Sequence, residues 1–393
     1  MTPTMNTPGP LAGIRVVEFG NLIAAPYAGM LLADLGADVI KVEPPFGDLG
    51  RGFGPFLAEE SAFFLSVNRG KRSVCLDPKD PEAHRWLVEL VKTADVVLSN
   101  LRHGAMERMG FGEDDVRRLN PRAVYAVVSA FGADGPYAER VGIDVIFQGE
   151  SGMISITGHE GDPPQKTATT IGDFVAATNA ALAITAALWD RDRSGRGRRV
   201  DVSLRDGLFA VQAGWYALAF AQGGQPPRMG TASPFLAPNQ VFQAADGPFT
   251  LAVVSDRQFR RLCDVIDRPD LAERFPTNAD RMRHRAELTE ALAAVFARDE
   301  AEAWVEKLGA AGLPVGRVLG LLEAIDDPQA VHHGMHVTYE HPRAGRVDAV
   351  GSPLRIDGEQ ARAADPPPVL GQHTAEILTE LGATPEEVAR LTR

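Results

Sequence analysis

The amino-acid sequence predicts an α/β fold: a mostly parallel sheet wound with helices, joined to a smaller α+β domain. Three observations lead there. Short aliphatic runs at 14–19, 37–42 and 95–100 recur with helical stretches between them. Their centres are continuously apolar rather than alternating, as in strands covered on both faces. Beyond about residue 222 the pattern changes to a hairpin and charged helices, which marks a second body.

Each element follows from local chemistry. Segment 14–19 reads as the first strand, and 25–35 as a helix stopped by Gly36. Segment 37–42 is the next strand, ending before Pro44-Pro45. A short strand at 73–76 precedes a helix at 81–94 with Pro81 at its start. Segments 95–100 and 123–130 are further buried-type strands, so right-handed βαβ units are expected. A small-residue apolar helix over 175–189 closes at 194–197. A strand at 200–203 and a helix over about 204–222 follow it. Gly223-Gly224-Gln225-Pro226-Pro227 then breaks the chain. Segment 239–254 reads as a hairpin with Asp246-Gly247 in its turn, and an amphipathic helix is expected over 374–391. The resulting division is 1–222, 223–325 and 326–393.

Composition excludes several function classes. The 393 residues carry a net charge of −12, from 52 acidic and 40 basic side chains. That argues against nucleic acid as a partner, which requires a basic surface. Cys75 and Cys263 lie far apart, so no disulfide framework is expected and a reducing, cytoplasmic setting fits. No basic stretch followed by an apolar core opens the chain, and no apolar run reaches the ~20 residues of a membrane span, so no membrane partner is expected. His332, His333 and His336 lack a ligand-like spacing, and no metal site is expected. Neither a G-x-S-x-G elbow nor a G-x-G-x-x-G fingerprint is present, which disfavours a serine hydrolase and NAD binding.

The strongest chemical signal is Thr169-Thr170-Ile171-Gly172-Asp173-Phe174, at the mouth of the apolar helix. A carboxylate there is first of all a favoured helix cap, and it is also a good anionic nucleophile held near a positive helix end. With an ordinary pKa of about 3.9 it would be ionised by roughly a thousand to one at pH 7 and need no general base.

Longer motifs decide between those roles. Leu11-Ala12-Gly13-Ile14-Arg15-Val16-Val17-Glu18-Phe19 and Leu35-Gly36-Ala37-Asp38-Val39-Ile40-Lys41-Val42-Glu43-Pro44 resemble the opening of the family III CoA transferases (CaiB/BaiF type). Asn68-Arg69-Gly70-Lys71-Arg72-Ser73, Met109-Gly110-Phe111-Gly112, Leu119-Asn120-Pro121-Arg122, Gly172-Asp173, Ser194-Gly195-Arg196-Gly197 and Leu370-Gly371-Gln372-His373-Thr374 extend the resemblance in order along the chain. The segments Met229-Gly230-Thr231-Ala232 and Pro238-Asn239-Gln240-Val241-Phe242 look like the branch that includes succinate–hydroxymethylglutarate CoA transferase.

The resemblance implies a Rossmann-like large domain completed by the C-terminal tail, in an interlocked homodimer whose small domain lies over the neighbour's site. It implies transfer of CoA from an acyl-CoA to a carboxylic acid, with dicarboxylates such as succinyl-CoA as candidate substrates. Coenzyme A is then a substrate, and no cofactor is permanently bound. Asp173 matches the catalytic aspartate and Asp144 an acidic position near it, with Gly172 beside the nucleophile. Asn21, Leu22, Ile23 and Ala24 match the active-site loop after the first strand. Leu76, Lys79, Asn100, Leu101, Arg108 and Met109 match CoA contacts. Arg69, Lys71, Arg72 and Arg102 are further candidates for a basic phosphate patch, and Arg140 for a reach toward CoA or substrate.

Three departures argue against formyl-CoA/oxalate specificity. Ile23 replaces a Gln, Pro44 replaces a CoA-contacting Arg, and 229–234 holds one Gly in place of a glycine run. An α-methylacyl-CoA racemase shares the fold and is the second reading, but needs a His with its Asp. Segment 114–120 has no His, and Ile143 precedes Asp144 where that branch often has one. A non-catalytic CoA-binding protein is the third reading.

Overall fold

A computed structural model describes residues 9–361, 363 and 365–392, and divides them between two compact units. The first eight residues, read above for a secretory signal, lie outside the described ones. Unit one comprises Met1–Met153, Thr167–Tyr216 and Ile325–Arg393, and unit two Ile154–Lys166 and Ala217–Ala324.

Unit one is built on a six-stranded sheet of β1 (Arg15–Phe19), β2 (Asp38–Glu43), β3 (Lys71–Cys75), β4 (Val96–Ser99), β5 (Val124–Ser129) and β6 (Arg199–Ser203). All pair in parallel, in the order β3-β2-β1-β4-β5-β6. Successive side chains on a strand face opposite ways, and the sequence meets that with apolar residues on both parities. Val16, Val39, Leu98 and Ala126 enter a core with helices α1 (Ala24–Asp34) and α5 (Ile171–Ser194). Val17, Ile40, Val97 and Tyr125 enter a second core with α2 (Pro81–Lys92). Ile377 and Leu378 of α7 (Thr374–Glu380) pack into that second core, so the C-terminal segment belongs to this unit.

Helix α5 is long and apolar enough, by length and composition alone, to cross a membrane. Here Ala176, Ala177, Ala180, Ala181 and Ile184 form a buried stripe, and small side chains at that spacing let it lie close against α1 and the sheet. Its C-terminus is the expected glycine stop, with Gly195 in the left-handed conformation.

Unit two carries an antiparallel sheet, β7 (Asn239–Gln243), β8 (Pro248–Ala252) and β9 (Val315–Arg317), in the order β9-β8-β7. Phe242 and Phe249 meet Phe296 edge-on at ring distances of 5.0 and 5.1 Å, which centres its core. Residues 154–166 belong here and not with the first body, because His159 bridges Met229 and Gly230 N–H donates to Gly158 O at 2.8 Å.

Two expected helices are each broken in two. The stretch from 204 is Leu204–Val211 (α6) and Ala213–Gln222, parted at Gln212, whose side chain donates to the Ser151 and Leu208 carbonyls. The C-terminal stretch is α7 and Pro385–Leu391, parted at Gly382, with φ of 92°. Thr384 and Glu387 form a capping box that starts the last piece, a local signal stronger than the continuing apolar period.

Candidate active site

Strand order fixes where the site-bearing loops fall. From β1 the chain moves outward through β2 to β3, and from β4 the other way through β5 to β6. The loops leaving the carboxyl ends of β1 and β4 therefore diverge, and open α/β sheets bind ligands at that switch point. Asn21 follows β1 there and Asn100 follows β4. Asn21 N–H donates to Asn100 Oδ1 and Asn100 Nδ2 donates to Asn21 O, both at 2.9 Å. Leu101 comes next, and Leu76 follows β3 at the same edge. The sheet thus brings Asn21–Ala24, Leu76, Asn100 and Leu101 to one side.

Asp173 reaches this edge from another element. It lies in the first turn of α5, whose cap position is Thr170, so Asp173 is not itself the cap. Phe174 meets Tyr27 of α1 edge-on at 4.8 Å, which seats the first turn of α5 beside the start of α1 and the 21–24 loop. The turn is latched from behind. Asp144 opens helix α4 (Asp144–Glu150), is 5% exposed, and accepts the Gly172 N–H at 2.7 Å. Gln148, one helical turn on, donates to the same carboxylate and accepts from the Thr167 N–H at 2.9 Å. Gly172 is required here: a Cβ would stand 2.8 Å from Asp144 Oδ1 and 3.3 Å from Leu208.

This environment overturns the ordinary ionisation expected of Asp173. Burial first, and the Asp144 charge second, push its pKa up to about 7. A carboxyl with that pKa is only about half ionised at neutral pH. Two neighbouring acids of which one titrates near neutrality are characteristic of functional sites.

A buried charge cluster lies beneath the 21–24 loop. Glu18 at the end of β1 pairs with Lys41 of β2 at 2.8 Å and Lys71 of β3 at 2.7 Å, and all three side chains are fully buried. Lys41 also meets Asp48 at 2.8 Å and donates to Gly20 O at 2.7 Å. Burial opposes the Glu18 charge, but the two ammonium groups overcome it and hold Glu18 below the usual carboxylate range. Burial brings Lys71 down to about 8, with Glu18 opposing that fall. Helix α1 leaves room for the cluster with Gly29, where a Cβ would lie 2.2 Å from Glu18 Oε2. Asp48 and Glu18 were not singled out from sequence. The available signal was Lys41 between Ile40 and Val42, a charge inside an otherwise buried strand.

The same contacts revise the basic patch. Lys71 is committed to Glu18. Arg69 is locked on Asp34 at 2.9 Å, and Arg72 on Asp38 at 2.7 Å and Glu380 at 2.6 Å. Arg140 is exposed, paired with Glu150 at 2.6 Å and stacked on Phe131 and Tyr137. None of the four is a free cation. Lys79, Arg102 and Arg108 are exposed and lack an ion-pair partner among the described residues. Lys79 leads into α2, and Arg108 ends the short helix α3 (Ala105–Arg108). Met109 follows, its carbonyl 2.9 Å from His84 Nε2 on α2.

Comparison with known proteins gives a consistent result. Residues 11–374 match the family described as CoA-transferase family III. The chain is 36% identical to the succinate–glutarate CoA-transferase of Agrobacterium fabrum over 391 residues, covering 97% of this chain and 98% of that one. It is 36% identical to the acetyl-CoA:oxalate CoA-transferase of Acetobacter aceti, covering 95% of this chain and 96% of the relative. A CaiB/BaiF family protein from Brucella suis has a crystal structure that superposes with a TM-score of 0.85 at 34% identity, covering 95% of this chain and 100% of that one.

Proposed function

We propose, from the premise that this chain belongs to the family III CoA-transferases and so transfers CoA from an acyl-CoA to a carboxylic acid, that Asp173 is the nucleophile of that transfer. The observation carrying this reading is the latched first turn of α5: a half-buried carboxyl beside the 21–24 loop, with its backbone held by Asp144.

The ionised Asp173 oxygen attacks the thioester carbonyl. The C–S bond breaks and CoA leaves as thiolate, giving a mixed anhydride. The thiolate then attacks the aspartyl carbonyl, expelling the donor acid as its carboxylate and leaving an aspartyl-CoA thioester. An acceptor carboxylate attacks that thioester, releasing the thiolate. The thiolate closes on the acceptor's carbonyl and frees Asp173. Every step is an acyl transfer, so electrons and atoms balance without a redox partner. Each passes through an oxyanion, and the Ile23 and Ala24 N–H groups, unpartnered among the described residues, are suited to receive it.

The intact mass of the protein after mixing with succinyl-CoA tests this reading. Wild type gains one CoA adduct that a carboxylic acid discharges, and Asp173→Asn gains none. An adduct that persists on the variant moves the nucleophile elsewhere.

Dicarboxylates are the proposed substrates, because relatives named for succinyl-CoA with glutarate or mesaconate align over nearly the whole chain. The racemase reading lacks such relatives among those named above. Lys79 and Arg108 are the proposed phosphate contacts. Alanine at either raises KM for acyl-CoA by about 5–20-fold and leaves kcat within about twofold, because a remote charge contact is shared by ground and transition states. A fall in kcat with KM unchanged contradicts that assignment.

A homodimer is also part of the proposal. Leu182 and Trp189 of α5 are 68% and 70% exposed, and Ile143 beside Asp144 is 64% exposed, leaving apolar surface that a second copy would cover. A folded, active monomer at nanomolar concentration by sedimentation and assay counts against it.

A further inference from the structure

We propose that Asp48, backed by Lys41, Glu18 and Lys71, is a positioning residue for the transfer reaction, holding Leu22 in a left-handed backbone conformation and thereby aiming the Ile23 and Ala24 N–H groups. This rests on the reading of the 21–24 loop as the oxyanion-facing segment beside Asp173.

Leu22 has φ of 66°, a conformation that L side chains other than Asn and Asp rarely adopt. Nothing in the sequence favours it: a leucine between Asn21 and Ile23 has no intrinsic preference for that turn. The conformation is imposed by neighbours. Leu22 N–H donates to Asp48 Oδ1 at 3.0 Å, and the same oxygen takes the Gly50 N–H at 2.7 Å. The other Asp48 oxygen meets Lys41. Asp48 is itself fixed by its N–H on Glu43 at 3.0 Å, and Glu43 is clamped by Arg51 at 2.7 Å and by the Ser73 hydroxyl at 2.6 Å.

Several backbone groups flanking the bend are anchored in the same way. Lys41 holds Gly20 O, Asn100 holds both backbone groups of Asn21, the Asn21 side chain takes the Leu49 N–H at 3.1 Å, and Lys71 holds Pro26 O at 2.7 Å. Between these anchors the Ile23, Ala24 and Ala25 N–H groups are left open among the described residues of the bend. A strained residue over-determined by its surroundings, next to open backbone donors, is the signature of preorganisation. The lysines contribute by neutralising the buried Glu18 and Asp48 and by fixing both ends of the bend, and neither touches the reacting atoms.

Full-length variants decide the matter, assayed for single-turnover adduct formation with succinyl-CoA and for steady-state transfer. Asp48→Asn has one acceptor oxygen and cannot serve both Lys41 and the Leu22 and Gly50 N–H groups, so it slows the transfer step by about 10–100-fold, the scale of a small misplacement, while CoA affinity stays within about threefold. The same substitution costs at least about fivefold less in a Leu22→Gly background, because glycine takes the left-handed turn without an anchor. At position 22 itself, rates fall in the order Gly and Asn above Val, following left-handed preference and not apolar character. An equal cost of Asp48→Asn in both backgrounds, a loss confined to CoA affinity, or Val outperforming Gly and Asn overturns the proposal. Should Asp48→Asn not fold, the position-22 series, which leaves the Asp48–Lys41 pair intact, decides by itself. Steady-state kcat reports the same comparisons whether or not an adduct accumulates, so a wild type that forms none counts against Asp173 alone.

Discussion

Asp173→Asn lowers kcat by at least about 10⁴-fold while acyl-CoA binding changes by no more than a few-fold, because the amide keeps the shape of the first turn and loses the proposed nucleophile. A second, opposite effect accompanies it. The folded pKa of Asp173, about 7, lies above its ordinary 3.8. A carboxyl raised in this way is harder to ionise in the native state than in the unfolded chain. Its penalty is absent below the ordinary pKa, grows as pH rises through the interval, and is complete above the folded pKa. Asp173→Asn therefore stabilises the protein by on the order of 2–3 kcal/mol at pH 8, and the gain fades as pH falls toward 4. Urea unfolding of both proteins at pH 8 and pH 4.5 measures this. A dead variant that is also destabilised at pH 8 would mean that position 173 serves the fold, and the mechanism would fail with it. Stability traded for reactivity is common where active-site groups are held in unfavourable surroundings.

Asp144 carries the second large effect, and two substitutions separate its two contributions. Asp144→Ala removes the acceptor for Gly172 N–H and for Gln148, leaving both donors buried. The expected cost is about 2–3 kcal/mol in stability and about 10²-fold in kcat, as the turn bearing Asp173 loosens. Asp144→Asn keeps an oxygen for Gly172 N–H and removes the charge. Since that charge is one of the two causes raising the Asp173 pKa, the acid limb of kcat/KM, expected near pH 7 in wild type, moves down by about 0.5–1 unit. Burial remains, so the limb does not return to 3.8. A limb that stays put, or moves up, rules out electrostatic coupling between the two acids. The comparison is informative because loosening the turn would reduce the plateau without shifting the limb.

Much of the fold was legible along the chain. The apolar runs gave all six parallel strands within a residue or two, since residues buried on both sheet faces leave an unbroken hydrophobic signature. Gly172-Asp173 stood out because a charged residue opening a long small-residue helix needs a reason. The breaks at Gln212 and Gly382 were less visible: the apolar period runs through both, and a side-chain bond in one case and a capping box in the other interrupt it. The basic run 69–72 misled for a different reason. Consecutive cations look like a surface patch, yet β3 alternates faces and each charge finds its own acid: Asp34 for Arg69, Glu18 for Lys71, Asp38 for Arg72.

By itself, the sequence determined the α/β class and the strand order's raw material, and it singled out the carboxyl proposed as nucleophile, because hydrophobic period, glycine placement and short motifs are local properties read residue by residue. Only the tertiary structure decided which charges are free and which are spent, how far Asp173 departs from an ordinary acid, and why Leu22 bends left-handed. Those are properties of neighbours distant in the chain: Asp144 lies 28 residues before the Gly172 it latches, and Asp48 lies 26 beyond Leu22. Burial and Coulomb interaction depend on spacing in three dimensions, and no spacing along the chain encodes it.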